Sequence, residues 1–500
     1  MRKILGIALA AGLALTTVAA AQQQGGTLVA AWAQDPVGLD PHITSARSSI
    51  QVLENVLDTL VSLDQDQNVV PSLAESWTVS DDGLTWTFTL RDGLMFSNGR
   101  AVTAEDAVFT YSRMLDPATG SGQAYLLAGV TSVEAPDDST VAFTLDSPNP
   151  AFLSKLASSK VVGVIARESV EDGTINTNPI GTGPFVIADF QPGVSVTLER
   201  NPHYWQEGLP YLDAVELRII TDESVRRSAL VAGDVDWAIS IPAQSIDELK
   251  DRDDVVVDEV PAGAYWYIGV NTTVEPLDDA RVRQAISYAI NRDEIAAVAT
   301  FGTAVATQDP IPASSAWATD YAPYTQDLER ARELLAEAGV ADGFELQIMP
   351  TTQYEESVRI AQMLQASLAP LNITASINTL EWAQWLEEQG DGNYQTFVCS
   401  WNGNIDPDDF FYAQHRTGEV FNFTGYSNAT VDELLAEGRG TADAAERQDV
   451  YAQINRLIVD EAPYIYLYNP LEINAYRTDV MNYAACPDQA IRFVETWLDR

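Results

Sequence analysis

LAESWTVSDDGLTWTFTLRDGLMFSNGRAVTAEDAVFTYS, residues 73–112, holds a strand, its flanking turns and a helix start in one short stretch. Trp86, Phe88 and Leu90 alternate with Thr85, Thr87 and Thr89, the period-two pattern of a strand with one face buried. Asp82-Gly83 before it and Asn98-Gly99 after it are turn dipeptides, because glycine reaches the positive φ that tight turns demand. Thr103 reads as an N-cap, with Glu105 and Asp106 where the helix dipole favours negative charge. No catalytic arrangement lies in the stretch; it is scaffold.

On either side, short strands alternate with helices without internal repeats or low-complexity tracts, which is an α/β pattern. The 500 residues exceed what one core holds, and at roughly 150 residues per domain about three units are expected. Two stretches read as crossings between units. Residues 178–185, NPIGTGPF, are dense in turn formers and precede an alternating strand through Val194, Val196 and Leu198. Residues 265–271, YWYIGVN, form an apolar strand that runs toward Pro276. Beyond it, Val282, Ala285, Ile286, Ala289 and Ile290 fall on one helical face, with Asp278 and Asp279 at its positive end. Helices are also expected from about 325 to 339 and from 355 to 369, the first ended by Gly339 and the second by Pro370.

Arg2 and Lys3 precede an almost wholly apolar run over residues 4–18, and Ala19-Ala20-Ala21 then meets three glutamines. This is the layout of a secretory signal peptide at residues 1–21, cleaved before Gln22, and not of a membrane span. No cysteine follows the run, so lipid anchoring is not expected. No later segment approaches the ~20 apolar residues a spanning helix needs, so a soluble protein outside the cytoplasmic membrane is expected. The formal charge of −44, from 72 acidic against 28 basic residues, repels nucleic acid and anionic lipid and suits a solvated acidic surface. Cys399 and Cys486 are the only cysteines. An oxidising compartment permits a bridge, but Cys399 sits in the apolar run Phe397-Val398-Cys399 and reads as a small buried hydrophobe.

The order and spacing of residues 73–112, with GTGPF at 181–185, NPHYW at 201–205, VRQAISYAINRD at 282–293 and YSN at 426–428, closely resemble the extracellular solute-binding proteins of the peptide, oligopeptide and nickel class that serve ABC importers. The resemblance covers nearly all of the chain after residue 21. It implies a two-lobed α/β periplasmic binding protein fold with a hinge. Lobe one would comprise residues 22–58, 178–270 and 474–500, an extra subdomain would be inserted at 59–177, and lobe two would be 271–473. It further implies a ligand cleft between the lobes, an ABC permease in the inner membrane as partner, and a periplasmic monomer that binds without cofactor, metal or turnover.

The sequence offers little to a secreted hydrolase. His42, His203 and His415 are the three histidines, none with a second histidine at helical spacing, and no G-x-S-x-G elbow, phosphate loop or dinucleotide fingerprint is present. His203 is expected to pack beside Tyr204 and Trp205. His415, in QHRTG at 414–418, is expected on an exposed loop near the cleft, with contact to a ligand or a nickel chelate as the alternative. Asp64, Asp66, Asn68 and Glu75 match positions of a calcium loop, but Val69 stands where that loop needs glycine and Pro71 breaks its geometry. An ordinary turn is expected there.

SWNGNIDPDDFF, residues 400–411, follows an apolar strand, and loops at the carboxyl ends of strands are where open α/β sheets bind ligands. Trp401 offers a flat apolar face to a ligand or to the core, Gly403 permits close backbone approach, and Asn404 and Asp406 supply amide and carboxylate partners. In the resembling proteins this tryptophan lines the pocket, and dipeptide and oligopeptide binders place an aspartate three residues beyond it for the ligand's amino group. Here that position is Asn404, which carries no charge. The dipeptide branch also has an arginine just before the helix that here starts near Glu355, where this chain reads MPTTQY at 349–354. Thr351, Gln353 and Tyr354 are the candidates at that place, and Arg359 lies one turn into the helix. Two ligand classes fit these residues. The first is an oligopeptide-like solute held partly through backbone hydrogen bonds. The second is a neutral oligosaccharide stacked on Trp32, Trp382, Trp385, Trp401 and Tyr354, with Asn402, Asn404 and Gln353 on its hydroxyls. Trp382 and Trp385 stand at i and i+3 of a helix, so at least one is expected in the core.

Overall fold

The computed structural model describes residues 22–500 apart from 45, 66, 159–162, 314, 404–405 and 442, so the segment read as a signal peptide lies outside the described residues. The Thr85–Leu90 strand forms as its alternation dictates, with Trp86, Phe88 and Leu90 buried and the threonines half-buried on the other face. It pairs antiparallel with Ala74–Val79 on one side and Thr140–Leu145 on the other, and Val130–Asp137 completes a four-stranded sheet. The helix Ala104–Leu115 starts where Asp106 accepts the Thr103 N–H at 3.0 Å, and it lays Tyr111 edge-on to Phe143 at 5.1 Å. With Phe96, Met114, Phe152 and Leu156 these residues make a hydrophobic core of their own.

A twelve-stranded sheet organises the rest. In one half, Thr27–Trp32 lies parallel to Ala214–Ile219 and Trp237–Ile239, and Ser195–Arg200 and Phe185–Gln191 extend it antiparallel. Trp32, Phe185, Leu217, Trp237 and Phe493 fill the core beneath it. The other half gathers Ala264–Val270, Thr396–Asn402, Glu345–Met349 and Thr374–Ile377. Successive side chains of Ala264–Val270 serve two cores there: Trp266 and Ile268 join Ile286, Leu364 and Leu467, while Tyr265 and Tyr267 join an aromatic cluster with Tyr464 and Tyr466.

One strand belongs to both halves. Tyr464–Arg477 pairs early with Ala264–Val270 and Ala304–Ala306, and late with Val255–Pro261 and Trp237–Ile239. Ladder partners therefore change from one half of the sheet to the other within residues 261–264 and again near residue 470. Val270, at the end of the stretch expected to cross, pairs with Thr396 of the strand Thr396–Asn402. The whole Ala264–Val270 strand is buried, a property of a central strand rather than a connector. Residues 178–185 join the small subdomain to lobe one: Gly183 and Phe185 donate to the carbonyls of Val56 and Asn55 at 2.9 and 3.0 Å. A Cβ on Gly183 would lie 2.4 Å from the Val56 carbonyl carbon, so the close approach requires glycine.

The helix expected through Ile290 divides into Ala280–Ala289 and Arg292–Thr300, because Asn291 caps a fresh start by accepting the Glu294 N–H at 3.2 Å. The later helices run Leu328–Glu337 and Glu355–Leu368. Cys399 and Cys486 are both buried and unbridged.

Candidate functional site

A cavity of about 290 Å³ opens where the two lobes and the small subdomain meet. Its lobe-one wall is the helix Arg47–Leu53, continued by Glu54, together with residues 487–489 of the C-terminal segment. The helix is buried on polar as well as apolar positions, Ser48, Ser49 and Gln51 beside Val52 and Leu53, since it is covered from both sides. The subdomain contributes Gln123, Tyr125 and Ser158, and lobe two contributes Ile311, Pro312, Asn402, Gly403 and Phe410. Gly263, within residues 261–264, joins these walls. Its N–H donates to Pro487 O at 2.8 Å and its carbonyl accepts the Gly403 N–H at 2.9 Å. A Cβ on Gly403 would lie 2.3 Å from the Phe410 ring, so a bare backbone is needed at that point.

Charge lies on lobe one. Arg47 donates through Nη2 to the Gln489 carbonyl at 2.9 Å, bonds the Gln489 side chain through Nη1 and stands 3.5 Å from Glu472. Asp488 accepts from Arg492 at 2.8 Å and from the Ala490 N–H at 3.0 Å. Glu54 accepts the Ile491 N–H at 3.1 Å through Oε2. Burial pushes the Glu54 carboxyl up to about 8; Asp488 adds to the rise, and Arg492 and Arg47 oppose it. The described lobe-two lining carries no charged side chain and offers Ser315, Asn402 and backbone instead.

A second cavity of about 340 Å³ shares Ile50, Glu54 and Ser158 with the first. On its wall Asp58 accepts the Trp205 indole N–H at 2.8 Å, and burial pushes the Asp58 carboxyl up to about 7 against that bond.

Of the residues singled out in the sequence, Gly403 and Asn402 line the cavity, and Asn404 lies outside the described residues. Trp401 does not line it; the half-buried indole donates to Asp409 O at 3.3 Å and meets Phe421 edge-on at 5.2 Å. Asp406 is turned away as well, buried in a two-pronged ion pair with Arg447 at 2.6 and 2.7 Å and capping the Asp408 N–H at 2.9 Å. Trp32 is 1% exposed and packs on Trp237 at 5.7 Å in the lobe-one core. Trp382 stacks on Trp385 at 5.1 Å, and Tyr354 is edge-on to both Trp266 and Trp382. Thr351 is buried and Gln353 exposed, and neither they nor Tyr354 and Trp382 line the cavity. Of the tryptophans a stacked saccharide would need, Trp32 and Trp385 are buried in packing, and Trp382 and Trp401 are half-buried beside Trp385 and Phe421. Arg359 pairs with Glu355 at 3.2 Å and donates to Ala299 O at 2.9 Å.

His415 ends the helix Asp408–His415 rather than sitting on an exposed loop. It is fully buried, with Nδ1 3.0 Å from Phe411 O and Nε2 3.2 Å from the Tyr466 hydroxyl, and burial lowers its pKa to about 3, which keeps the ring neutral. Asp64 accepts the Asn68 N–H at 2.8 Å in a local turn; Asp66 lies outside the described residues. Among the described residues no group of three or more His, Cys, Asp or Glu is placed to hold a metal ion.

The charged wall itself, Arg47, Glu54 and Asp488, is not singled out by the sequence. The available signal is the run RSSIQVLEN at 47–55, whose polar residues follow no amphipathic period and so indicate a helix covered on more than one side.

The family model described as bacterial extracellular solute-binding proteins, family 5 Middle, matches residues 68–422. The glutathione-binding protein GsiB of Escherichia coli O1:K1 is 30% identical over 496 residues, 97% of either chain. Among solved structures, HbpA2 from Haemophilus parasuis matches with a TM-score of 0.89 at 27% identity, covering 95% of this chain and 100% of that one. The periplasmic binding protein DppA from Helicobacter pylori, in complex with the peptide STSA, matches with a TM-score of 0.78 at 28% identity, covering 96% and 99%.

Proposed function

The chain belongs to the bacterial extracellular solute-binding proteins, family 5, and we propose that it is the periplasmic capture component of an ABC importer for a short peptide. The observation that carries this reading is a cavity built by both lobes and bordered by Gly263, with charged side chains on its lobe-one wall and none among the described lobe-two lining. A solute that touches both walls stabilises the closed arrangement of the lobes, and a permease recognises that arrangement. With its neighbour of about 340 Å³, the cavity of about 290 Å³ provides room of the ~300–1,000 Å³ typical of small-ligand sites. Glutathione and a bound tetrapeptide in the names of similar proteins agree with a peptide of that size. The role is binding without turnover, by one chain acting alone, after removal of residues 1–21.

The test is mass spectrometry of ligand extracted from the purified protein, followed by calorimetry with glutathione, trialanine and maltotriose. Peptides are expected to bind one to one and to be recovered unchanged, with compaction in small-angle scattering. Binding of maltotriose alone, or formation of a product, would overturn the reading.

A further inference from the structure

The lobe-one helix that lines the cavity carries opposite charges at its two ends. Arg47 and Glu54 are seven residues apart, so both lie on one helical face, and at 1.5 Å rise per residue they are separated by about 10 Å along the axis. An extended peptide advances ~3.3–3.6 Å per residue, so that spacing corresponds to about three residues. We propose that this helix is the ruler of the site: Glu54 receives the ligand's ammonium group and Arg47 its terminal carboxylate, which selects tripeptides with free ends. The inference rests on the peptide-receptor reading and specifies its substrate class.

Glu54 is the carboxylate with capacity left. Its Oε2 takes the Ile491 N–H, no described residue bonds Oε1, and the side chain stands where the two cavities share a wall. Asp488 already accepts from Arg492 and Ala490, and Glu472 faces Arg47. Arg47 has five N–H donors in a planar fork; it bonds Gln489, the Gln51 amide accepts from Nε and Nη2 at 3.0 and 3.2 Å, and Glu472 stands 3.5 Å away, so an arriving carboxylate takes the place of the neutral amide side chains.

Binding on Glu54 has a proton signature. The groups that face it are Arg47 on its own helix and Cys486, Asp488 and Arg492 of the C-terminal segment, with Asp58 on the following turn; Asp64 of the subdomain and Glu495 also line the second cavity that Glu54 borders. Burial among these groups leaves Glu54 largely protonated at neutral pH. An arriving ammonium pairs with the carboxylate, the Glu54 O–H bond breaks, and the proton leaves to solvent. Docking at this site at pH 7 releases close to one proton per ligand.

Calorimetry at pH 7 in phosphate and in Tris, which differ in protonation enthalpy, measures this release directly. The probes are trialanine, N-acetyl-trialanine, trialanine amide and dialanine. Wild-type protein is expected to bind trialanine with release of close to one proton, and to bind the other three at least ~10-fold more weakly, because a buried charge without its partner is costly. Acetylation should abolish the release. Glu54→Gln should bind trialanine and its acetylated form alike with no release, and Arg47→Gln should no longer separate the acid from the amide. Tight trialanine binding without proton release, or Glu54→Gln binding like wild type, would overturn the assignment and leave the peptide receptor standing. The wild-type buffer comparison decides even if a variant fails to fold. A wild type that binds none of the four probes, nor glutathione, would remove the peptide receptor and this inference together.

Discussion

Lys155 holds its ammonium 3.8 Å from Asp408 and 3.9 Å from Asp409, so the subdomain helix Ala151–Ala157 is tied by charge to the first turn of the lobe-two helix Asp408–His415. Asp408 also binds Arg439 at 2.7 and 2.8 Å. Burial alone would raise the Asp408 carboxyl; Arg439, with Lys155 and Arg447 near, holds it below the usual range. Lys155→Met removes the tie across the cleft and leaves Asp408 paired. The variant is expected to rest more open, with peptide affinity lower by about 3–10-fold and little change in melting temperature. Scattering without ligand and calorimetry with trialanine check this; an unchanged radius of gyration and affinity would deny the contact a part in closure.

Asp406→Asn tests whether that carboxylate serves the fold or the ligand. It leaves the Arg447 guanidinium buried without its partner, so a loss of about 3–5 kcal/mol is expected in urea unfolding. Peptide affinity of the folded protein should stay within about threefold, because Asp406 lines no cavity wall and acts at a separate place. A large affinity loss at preserved stability would return Asp406 to the site.

Gly403→Ala and Trp401→Ala should part company. The first puts a Cβ against Phe410 and drives that ring into the cavity it lines, so an affinity loss of ~10-fold or more is expected from overpacking. The second removes a half-buried indole from Phe421, at a cost of about 1–3 kcal/mol of stability with affinity largely kept. The reverse pattern in calorimetry and thermal melts would place the indole on the ligand.

His415 makes the fold sensitive to acid. In the unfolded chain the ring takes up a proton below its ordinary 6.5, and in the fold not until about 3. Its contribution is present above 6.5 and is lost as the pH falls through that window, by up to roughly 5 kcal/mol at 1.36 kcal/mol per unit. His42, lowered to about 4 by burial and by Arg113, acts in the same sense. Glu54, raised to about 8, acts in the opposite one: it favours the fold most below 4.5 and loses that contribution as the pH rises toward 8. His415→Gln should be less stable at pH 7 yet lose stability less steeply between pH 6.5 and 4, by about one proton in the slope. Urea unfolding at pH 7, 6, 5 and 4 gives both slopes, and parallel slopes would show that His415 titrates in the fold.

The elements that a local pattern determines are legible in the chain. Burial at Trp86, Phe88 and Leu90 follows from alternation alone, and the helix at Ala104 from its cap and first-turn acids. The helix before His415 is also written in the sequence, since Pro407 precedes Asp408 and Asp409 in its first turn, but the same residues read equally well as an irregular loop. The charged wall is a different matter. Arg47 finds its partner 442 positions along the chain and Glu54 finds its own 437 positions along, and no periodicity encodes a contact at that distance. The surroundings of Trp401 are of the same kind, since Phe421, in a later loop, meets the indole edge-on.

The unequal walls of the cavity also give unloading a direction. If Arg47 and Glu54 hold the ligand's ends as proposed, then on opening the described lobe-two lining gives up backbone and neutral contacts, whereas leaving the helix Arg47–Leu53 means separating full charges. A solute anchored at Arg47 and Glu54 is therefore a passenger of lobe one, and lobe two is the cover that lifts away. A permease that pries the protein open meets its cargo lying on one known platform, in one known orientation.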